Sequence, residues 1–148
     1  MNLVLDPSVV IKWYIPEVLS REAVSLKEWI VDSGAIIMEP ELFYIESANV
    51  IWKKSTLRKE ISRSNAKSIF TEIMSLPFQT VPDRNIITIA YETATLFSVT
   101  VYDAIYLACA YKFQGKFLTA DRALSKRLTG SALEKLILPL EDFENYET

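Results

Sequence analysis

The chain has 148 residues, enough for one domain, and 50% of them are hydrophobic while 24% are charged, which is typical of a folded globular protein. It has no histidine, one cysteine and three scattered glycines, which excludes catalytic triads, internal disulfides, Cys/His zinc sites and glycine-rich phosphate loops. The net charge of −3 disfavours a bulk electrostatic hold on nucleic acid, so carboxylate chemistry, lysine chemistry or no chemistry remains.

The first half of the chain predicts two strands and three helices. In chain order these are a strand over residues 3–5, a short helix over 9–14, a helix over 20–31, a strand over 35–38 and a helix from 40 to about 54. Ser20 is the expected N-cap of the second helix and Gly34 its expected end. Pro40 suits the opening of the third helix.

The second half of the chain continues the same alternation. In chain order it predicts a helix from Ser62 or Ser64 to about 74, a strand over 78–81, helices over 86–94 and 103–113, a strand over 116–119, a short helix over 122–128 and a weaker strand over 136–140. Continuous apolar strands indicate a parallel sheet covered on both faces. We therefore predict one α/β domain over residues 1–148, with a core over about 1–140 and an acidic C-terminal tail.

The location of the protein is predicted by exclusion. No apolar run approaches the roughly 20 residues that span a bilayer. The N-terminus has no basic start and reaches an acid at position 6, which is not typical of a signal peptide. These features predict a cytoplasmic protein.

Four carboxylates have unusually apolar neighbours in the sequence. Asp6 and Asp121 each directly follow a predicted strand, Glu46 is the only charge between positions 42 and 52, and Asp103 is the only charge between 101 and 111. Each has an alternative interpretation: Asp6 and Asp121 as turn residues, Asp103 as a helix N-cap, and Glu46 as the partner of a buried lysine or arginine.

Taken together, the four acids map to one crevice at the carboxyl ends of the strands. Clustered carboxylates repel one another, and a divalent cation removes that conflict. Oxygen ligands without histidine or cysteine favour Mg²⁺ or Mn²⁺, one or two ions, and the commonest task of such a site is phosphoryl transfer. The hydroxyls of Ser8 and Thr119 could orient a carboxylate, or they could make ordinary turn hydrogen bonds.

Four ordered segments resemble the motifs of PIN-domain ribonucleases, particularly toxins of the VapC type. They are Leu-Val-Leu-Asp6-Pro-Ser8-Val-Val-Ile-Lys12-Trp13, Pro40-Glu-Leu-Phe-Tyr-Ile-Glu46-Ser-Ala-Asn49, Tyr102-Asp103-Ala-Ile-Tyr-Leu-Ala108 and Leu118-Thr119-Ala-Asp121-Arg122-Ala-Leu124. Any one of these segments is weak, but the ordered set is specific. Pro7 departs from the small or polar residue of many relatives, which should leave Asp6 free.

The resemblance implies a three-layer α/β/α sandwich with a mainly parallel sheet. It also implies Mg²⁺- or Mn²⁺-dependent endonucleolytic cleavage of RNA, a homodimer and an antitoxin partner that blocks the site. Carried over by motif, Asp6, Glu46, Asp103 and Asp121 are the catalytic, metal-binding acids, with Ser8 and Thr119 as supporting residues.

Basic residues for RNA contact are sparse. Six of them fall between positions 53 and 67 with Glu60 as the only acid, and this stretch is either a solvated helix face or a patch for an anionic partner. The residues expected to contact RNA are Lys53, Lys54, Arg58 and Arg122.

Other functions stay open at this point. They include a PIN nuclease of RNA processing that is not a toxin, and a catalytically silent module that keeps the acidic pocket for binding. A phosphatase or phosphoryl receiver on a similar sheet is also conceivable, although Ser8 stands where one such phosphatase class needs a second aspartate.

Overall fold

The structure, a computed structural model, describes residues 1–146. Its centre is a sheet of five strands in the spatial order β3-β2-β1-β4-β5, with every neighbouring pair parallel. The strands are β1 Asn2–Leu5, β2 Ile36–Pro40, β3 Gln79–Val81, β4 Lys116–Thr119 and β5 Ile137–Pro139. All five predicted strands are present, and the expected parallel sheet is confirmed.

Helices flank the sheet and complete a three-layer α/β/α sandwich, as expected. Within the described residues they are α1 Pro7–Val10, α2 Ser20–Ser33, α3 Glu41–Trp52, α4 Arg63–Met74, α5 Ile87–Phe97, α6 Val101–Lys112, α7 Arg122–Leu128 and α8 Phe143–Tyr146. Short 3-10 turns occupy Ile11–Trp13, Asp83–Asn85 and Leu140–Asp142.

The core lies where α6 crosses β2, β1 and β4. Residues 104–110 of α6 are buried without interruption, as are the last three residues of β1 and of β4. Such a helix is apolar on all sides because it is covered on all sides. The acid at its start, Asp103, is therefore carried into the edge of the core.

Some helix ends differ from the prediction. The N-cap of α2 is Leu19, in the left-handed conformation with φ 67°. Ser20 Oγ instead accepts a hydrogen bond from Glu17 N at 2.8 Å, so the prediction that Ser20 caps this helix is wrong. Gly34 ends α2 with φ 66°, as predicted. Ser62 is the N-cap of α4 and accepts from Asn65 N at 3.1 Å.

The end of α3 also departs from the expected regular helix. The chain continues over Lys53–Leu57 as a π-helical turn, in which Lys54 is buried. Lys54 Nζ binds Glu17 Oε2 and Glu60 Oε2, each at 3.2 Å. The buried ammonium is thus doubly paired, as a cation in such a place must be.

The three large aromatic side chains of the first 30 residues pack against the core. They are Trp13, Tyr14 and Trp29, all partly buried. The Trp29 ring packs edge-on against the buried Phe143 of α8, with the ring centroids 5.6 Å apart. Trp52 is 48% exposed. Of the acidic residues predicted to form a tail, Glu147 lies outside the described residues.

The strand order creates a switch point beside β1. From β1 the chain builds β2 and β3 on one side, then crosses over to build β4 and β5 on the other. In parallel sheets the crevice outside the carboxyl ends at such a point is the usual place for a ligand. Asp6 and Asp121 follow the two strands that border it.

Within residues 1–146, every single helix falls short of the length and apolar character that crossing a membrane requires. Helices α5 and α6 reach it only as a pair, which is bent by 116°.

Candidate active site

Asp6 leaves the end of β1 and caps the short helix α1. Its Oδ1 accepts a hydrogen bond from Ser8 N at 3.0 Å, and its Oδ2 accepts one from the Thr119 hydroxyl at 2.7 Å. Burial raises the pKa of Asp6, the bonds from Ser8 and Thr119 lower it, and the nearby charge of Asp103 raises it. Both oxygens of this carboxylate are therefore oriented by the fold.

Thr119 joins the two strand ends that border the switch point. While its hydroxyl donates to Asp6, its Oγ1 accepts from Asp121 N at 3.0 Å. Ser8 Oγ accepts from Ala120 N at 3.3 Å, which adds a second tie between the same two loops. The Thr119 hydroxyl therefore orients the Asp6 carboxylate and also makes a turn hydrogen bond, whereas the Ser8 hydroxyl bonds to the loop after β4. Together these bonds hold Asp6 and the backbone of Asp121 in fixed relation.

Asp121 is the N-cap of α7. Its Oδ1 accepts from Ala123 N at 2.9 Å and from Leu124 N at 3.1 Å. Asp6 and Asp121, for which the alternative interpretation was that of turn residues, each cap the short helix that follows their strand, and this is compatible with a place at the strand ends.

Glu46 projects from α3 and is half-buried. The Tyr106 hydroxyl donates to its Oε2 at 3.1 Å, so its hydrogen-bond partner is a tyrosine and not the lysine or arginine of the alternative interpretation. The Tyr106 ring is 2% exposed and stacks on Phe117 at 5.2 Å. The pKa of Glu46 is raised to about 7, mainly by burial and also by the charges of Asp6, Asp103 and Asp83, while the bond from Tyr106 lowers it.

Asp103 is the third residue of α6. Thr100 caps this helix and its Oγ1 accepts from Asp103 N at 3.1 Å, so the alternative in which Asp103 is the cap is wrong. Burial raises the pKa of Asp103, the bond with Thr100 lowers it, Asp121 raises it and Arg127 lowers it.

The four predicted acids form one electrostatically coupled group. Asp103 raises the pKa of Asp6, Asp6 and Asp103 raise that of Glu46, and Asp121 raises that of Asp103. No ion pair within residues 1–146 involves any of the four. In that same part of the chain, no three acids converge closely enough to form a ready-made metal-binding group.

This donor set fits a hard divalent cation by its chemistry. All of its ligand atoms are oxygens, the carboxylates repel one another, and three of them are more readily protonated than usual because burial disfavours their charge. A cation between them would relieve both effects.

Two acids of this region were not predicted. Glu39 near the end of β2 is fully buried: its Oε1 accepts from Leu5 N at 2.8 Å and its Oε2 has no partner. Burial raises its pKa well above the usual range, the Leu5 bond lowers it and Asp6 raises it. Asp83 accepts from Leu42 N at 3.3 Å and raises the pKa of Glu46.

A signal for both residues exists in the sequence. Glu39 directly follows the apolar run 35–38, as Asp6 follows 3–5, and Asp83 comes just after the third strand.

The predicted RNA contacts have different environments. Lys54 is buried in its ion pairs and is therefore not available to RNA. Lys53 is exposed, Arg58 is exposed and lies 3.8 Å from Glu60, and Arg122 is exposed and binds Glu141.

Comparison with known proteins adds a family-level match. The model of the PIN domain matches residues 3–127. Ribonuclease VapC3 of Pyrobaculum aerophilum is 31% identical over 130 residues, which are 86% of this chain and 95% of that protein.

Similar folds occur among solved structures. PAE2754 of Pyrobaculum aerophilum aligns with a TM-score of 0.68 at 19% identity, covering 99% of this chain and 88% of its own. VapBC2 of Rickettsia felis, bound to a DNA fragment from its promoter, aligns with a TM-score of 0.65 at 12% identity, covering 94% and 98%. A toxin–antitoxin complex of Klebsiella pneumoniae aligns at 0.63 and 16%, covering 93% and 97%. At these identities the likeness concerns the fold.

Proposed function

Because this chain belongs to the PIN domain family, we propose that it is a metal-dependent endoribonuclease that hydrolyses phosphodiester bonds of RNA. Membership of the family confirms the resemblance found in the four motifs. The observation that carries the proposal is that the four motif acids, from distant parts of the chain, lie close enough for the charge of one to raise the pKa of another, and that none of them has an ion pair within residues 1–146.

The proposed metal ligands are Asp6, Glu46, Asp103 and Asp121, and the proposed ion is Mg²⁺ or Mn²⁺. The chemistry that such an ion supplies when bound is activation of water and stabilisation of the charge that develops on the phosphate. The chain's own part is to orient the carboxylates. Ser8 N and Thr119 hold Asp6, and Tyr106 holds Glu46.

The test of this assignment is cleavage of RNA by isosteric variants. Asp6→Asn and Asp103→Asn each remove one charge from the acidic group, and we expect each to lower the rate of RNA cleavage in Mg²⁺ or Mn²⁺ by more than about 100-fold. Asp32→Asn, at an exposed position of α2, is the matched control and should cleave at the wild-type rate. Wild-type cleavage by Asp6→Asn would contradict the assignment.

The proposed biological role is that of the toxin in a toxin–antitoxin pair. Support comes from the named relative and from structural neighbours that are toxin–antitoxin complexes. In this role a small antitoxin blocks the acidic site in the cytoplasm until it is removed. A gene for a small DNA-binding protein directly upstream would support the role, and its absence would favour a PIN nuclease of RNA processing.

The proposal includes a homodimer. Its support on the surface is the exposed apolar side of α5, where Tyr91 is 65% and Leu96 77% exposed. Large apolar side chains at such exposure are unusual on a monomer when they lie together.

One observation favours a second candidate, a silent module that binds through its acidic pocket: no three acids in residues 1–146 converge into a metal group. A melting temperature that rises with Mn²⁺, without cleavage of any RNA pool, would select this candidate over the nuclease.

A further inference from the structure

Helix α7 carries a concentrated positive charge beside the acidic group. Arg122, Lys126 and Arg127 are all exposed on these seven residues, and Asp121 is the helix N-cap. Arg127 donates to Ser98 O at 3.2 Å, and its charge lowers the pKa of Asp103. Cations therefore flank two of the proposed metal ligands, in a protein whose net charge is −3.

A cavity of about 350 Å³ opens between α7 and the segment that follows β5. One wall carries Arg122, Ser125 and Lys126 of α7 with Thr129 just beyond its end, and the acids of the lining are Glu134, Glu141 and Asp142. The two cations are donors that phosphate oxygens accept from, whereas the hydroxyls of Ser125 and Thr129 already donate to Asp121 O and Ser125 O.

Within this cavity the carboxylate of Glu141 forms an ion pair with the guanidinium of Arg122. Arg122 Nε donates to Glu141 Oε2 at 2.7 Å, and Nη2 of the same guanidinium contacts the same oxygen. A carboxylate held in this way lies where a phosphate oxygen would lie on the guanidinium.

This ion pair is of a kind that is easily exchanged. The Arg122 side chain is 70% exposed and that of Glu141 31% exposed. Exposed pairs of this type contribute little to stability because water screens them. Replacement of Glu141 by another anion therefore costs the fold little.

We propose that Arg122 and Lys126 bind a phosphate of the RNA backbone next to the scissile bond, and that Glu141 holds this phosphate position in the free protein. RNA must then displace Glu141 to reach the site. This inference rests on the proposed function, because it takes RNA as the substrate. It assigns RNA contact to α7, next to Asp121, and leaves Lys54 to its structural ion pairs.

The test is a double-mutant cycle on RNA binding without metal. Binding of a single-stranded RNA pool in EDTA is measured by fluorescence anisotropy at several KCl concentrations for Arg122→Met, Glu141→Gln and the double variant. We expect Arg122→Met to weaken binding by about 5- to 10-fold and to reduce the salt slope by about 0.7, the value for one phosphate contact on a single strand.

Glu141→Gln should bind RNA several-fold more tightly than the wild type, and the double variant should bind like Arg122→Met. The matched controls are Lys112→Met, at the far end of α6 from Asp103, and Glu28→Gln, on the exposed face of α2. Both controls should bind like the wild type. Melting temperatures of all variants should stay near the wild-type value, since the exchanged pair is exposed.

Two results would overturn the inference: wild-type affinity in Glu141→Gln, or a gain that persists when Arg122 is also replaced. A polyglutamate peptide that competes with RNA equally well would assign the cavity to an acidic protein partner instead. If the metal-loaded wild type cleaves RNA while Glu141→Gln binds unchanged, only this inference fails. If no variant binds RNA and the wild type cleaves none, the proposed function fails as well.

Discussion

At the scale of single residues, Glu46 shows how the fold prepares a carboxylate for a cation. Its pKa of about 7 means that the metal-free protein holds this group half protonated near neutral pH. The bond from Tyr106 fixes one oxygen and leaves the other for a ligand. A cation that binds here must displace a proton, so its affinity should rise with pH.

The same shift makes the stability of the metal-free protein depend on pH. The folded-state pKa of about 7 lies above the ordinary value of 4.5, so the folded state binds the proton more tightly than the unfolded state does. The free energy of unfolding therefore falls as pH rises through that interval. Glu46→Gln keeps an acceptor for Tyr106 and cannot titrate.

We expect the wild type to lose stability relative to Glu46→Gln as pH rises from about 5 to about 7, with little further change above that range. Urea denaturation of both proteins in EDTA at each pH measures the difference. A difference that stays constant across this range would contradict the assigned shift.

Prediction at the residue level relied on charges that interrupt an apolar run, as at Asp6, Glu46, Asp103 and Asp121. In the fold their charges affect one another's pKa values, and their role as metal ligands stays a prediction. Glu39 carries the same signal, but spacing does not reveal that its oxygen replaces a backbone acceptor on a neighbouring strand. Around α6, Thr100 and Asp103 are both good N-cap residues three positions apart, and only the folded backbone decides between them.

At the scale of secondary-structure elements, the pairing of β1 with β2 ends before the pairing of β1 with β4 does. Their register joins Asn2 with Ile36 and Leu3 with Ile37, and beyond Leu3 the backbone N–H of Leu5 is bound by the Glu39 side chain instead. A buried N–H without an acceptor would be costly, so Glu39 allows the strands to separate at the point where Asp6 begins the crevice.

Replacement of Glu39 tests this account. Glu39→Ala removes the acceptor of Leu5 N and leaves a cavity, and we expect it to lower the free energy of unfolding by about 2–4 kcal/mol. Glu39→Gln keeps an acceptor oxygen and removes a charge that burial disfavours, so its loss should be less than half as large.

Urea denaturation at neutral pH measures both losses, with Glu28→Ala on the exposed face of α2 as the control. Equal losses in the two Glu39 variants would show that the hydrogen bond to Leu5 N is not what the side chain contributes.

Element-level prediction worked for the strands because each is a short apolar run between turn residues. It failed for the turn Lys53–Leu57 because this turn contains the buried Lys54, and the sequence does not show that Lys54 pairs with Glu17 and Glu60. The start of α2 was also missed, since nothing in the residue type of Leu19 indicates a positive φ.

At the scale of the whole molecule, α5 exposes large apolar side chains on its outer side. It packs against α6 on its inner side, whereas Leu96 is 77% exposed. The proposed homodimer would bury this side. A carboxylate in its centre would lie against apolar surface and disfavour association.

We therefore expect Leu96→Glu to convert a dimer into a monomer, as measured by light scattering after size-exclusion chromatography. Val18→Glu is the matched control, since Val18 is 83% exposed in the loop before α2, and it should leave the mass unchanged. A dimer that survives Leu96→Glu would exclude α5 as the contact.

The prediction for the whole molecule gave the correct fold class but not the distances between the carboxylates. Alternating apolar runs and helices indicate a parallel sheet, and the structure has this sheet, with its switch point beside β1. The separation of the carboxylates could not be predicted, because Thr119, Tyr106 and the cap of α7 each hold one acid by a bond that the sequence does not show.

The bond between Thr119 and Asp6 spans 113 positions of the chain. During translation Asp6 leaves the ribosome early, whereas Thr119 and Asp121 follow only after about four-fifths of synthesis. Until β4 docks beside β1, the growing polypeptide has neither the clamp on Asp6 nor the last carboxylate. A protein proposed to cut RNA therefore lacks two parts of its proposed site for most of its synthesis.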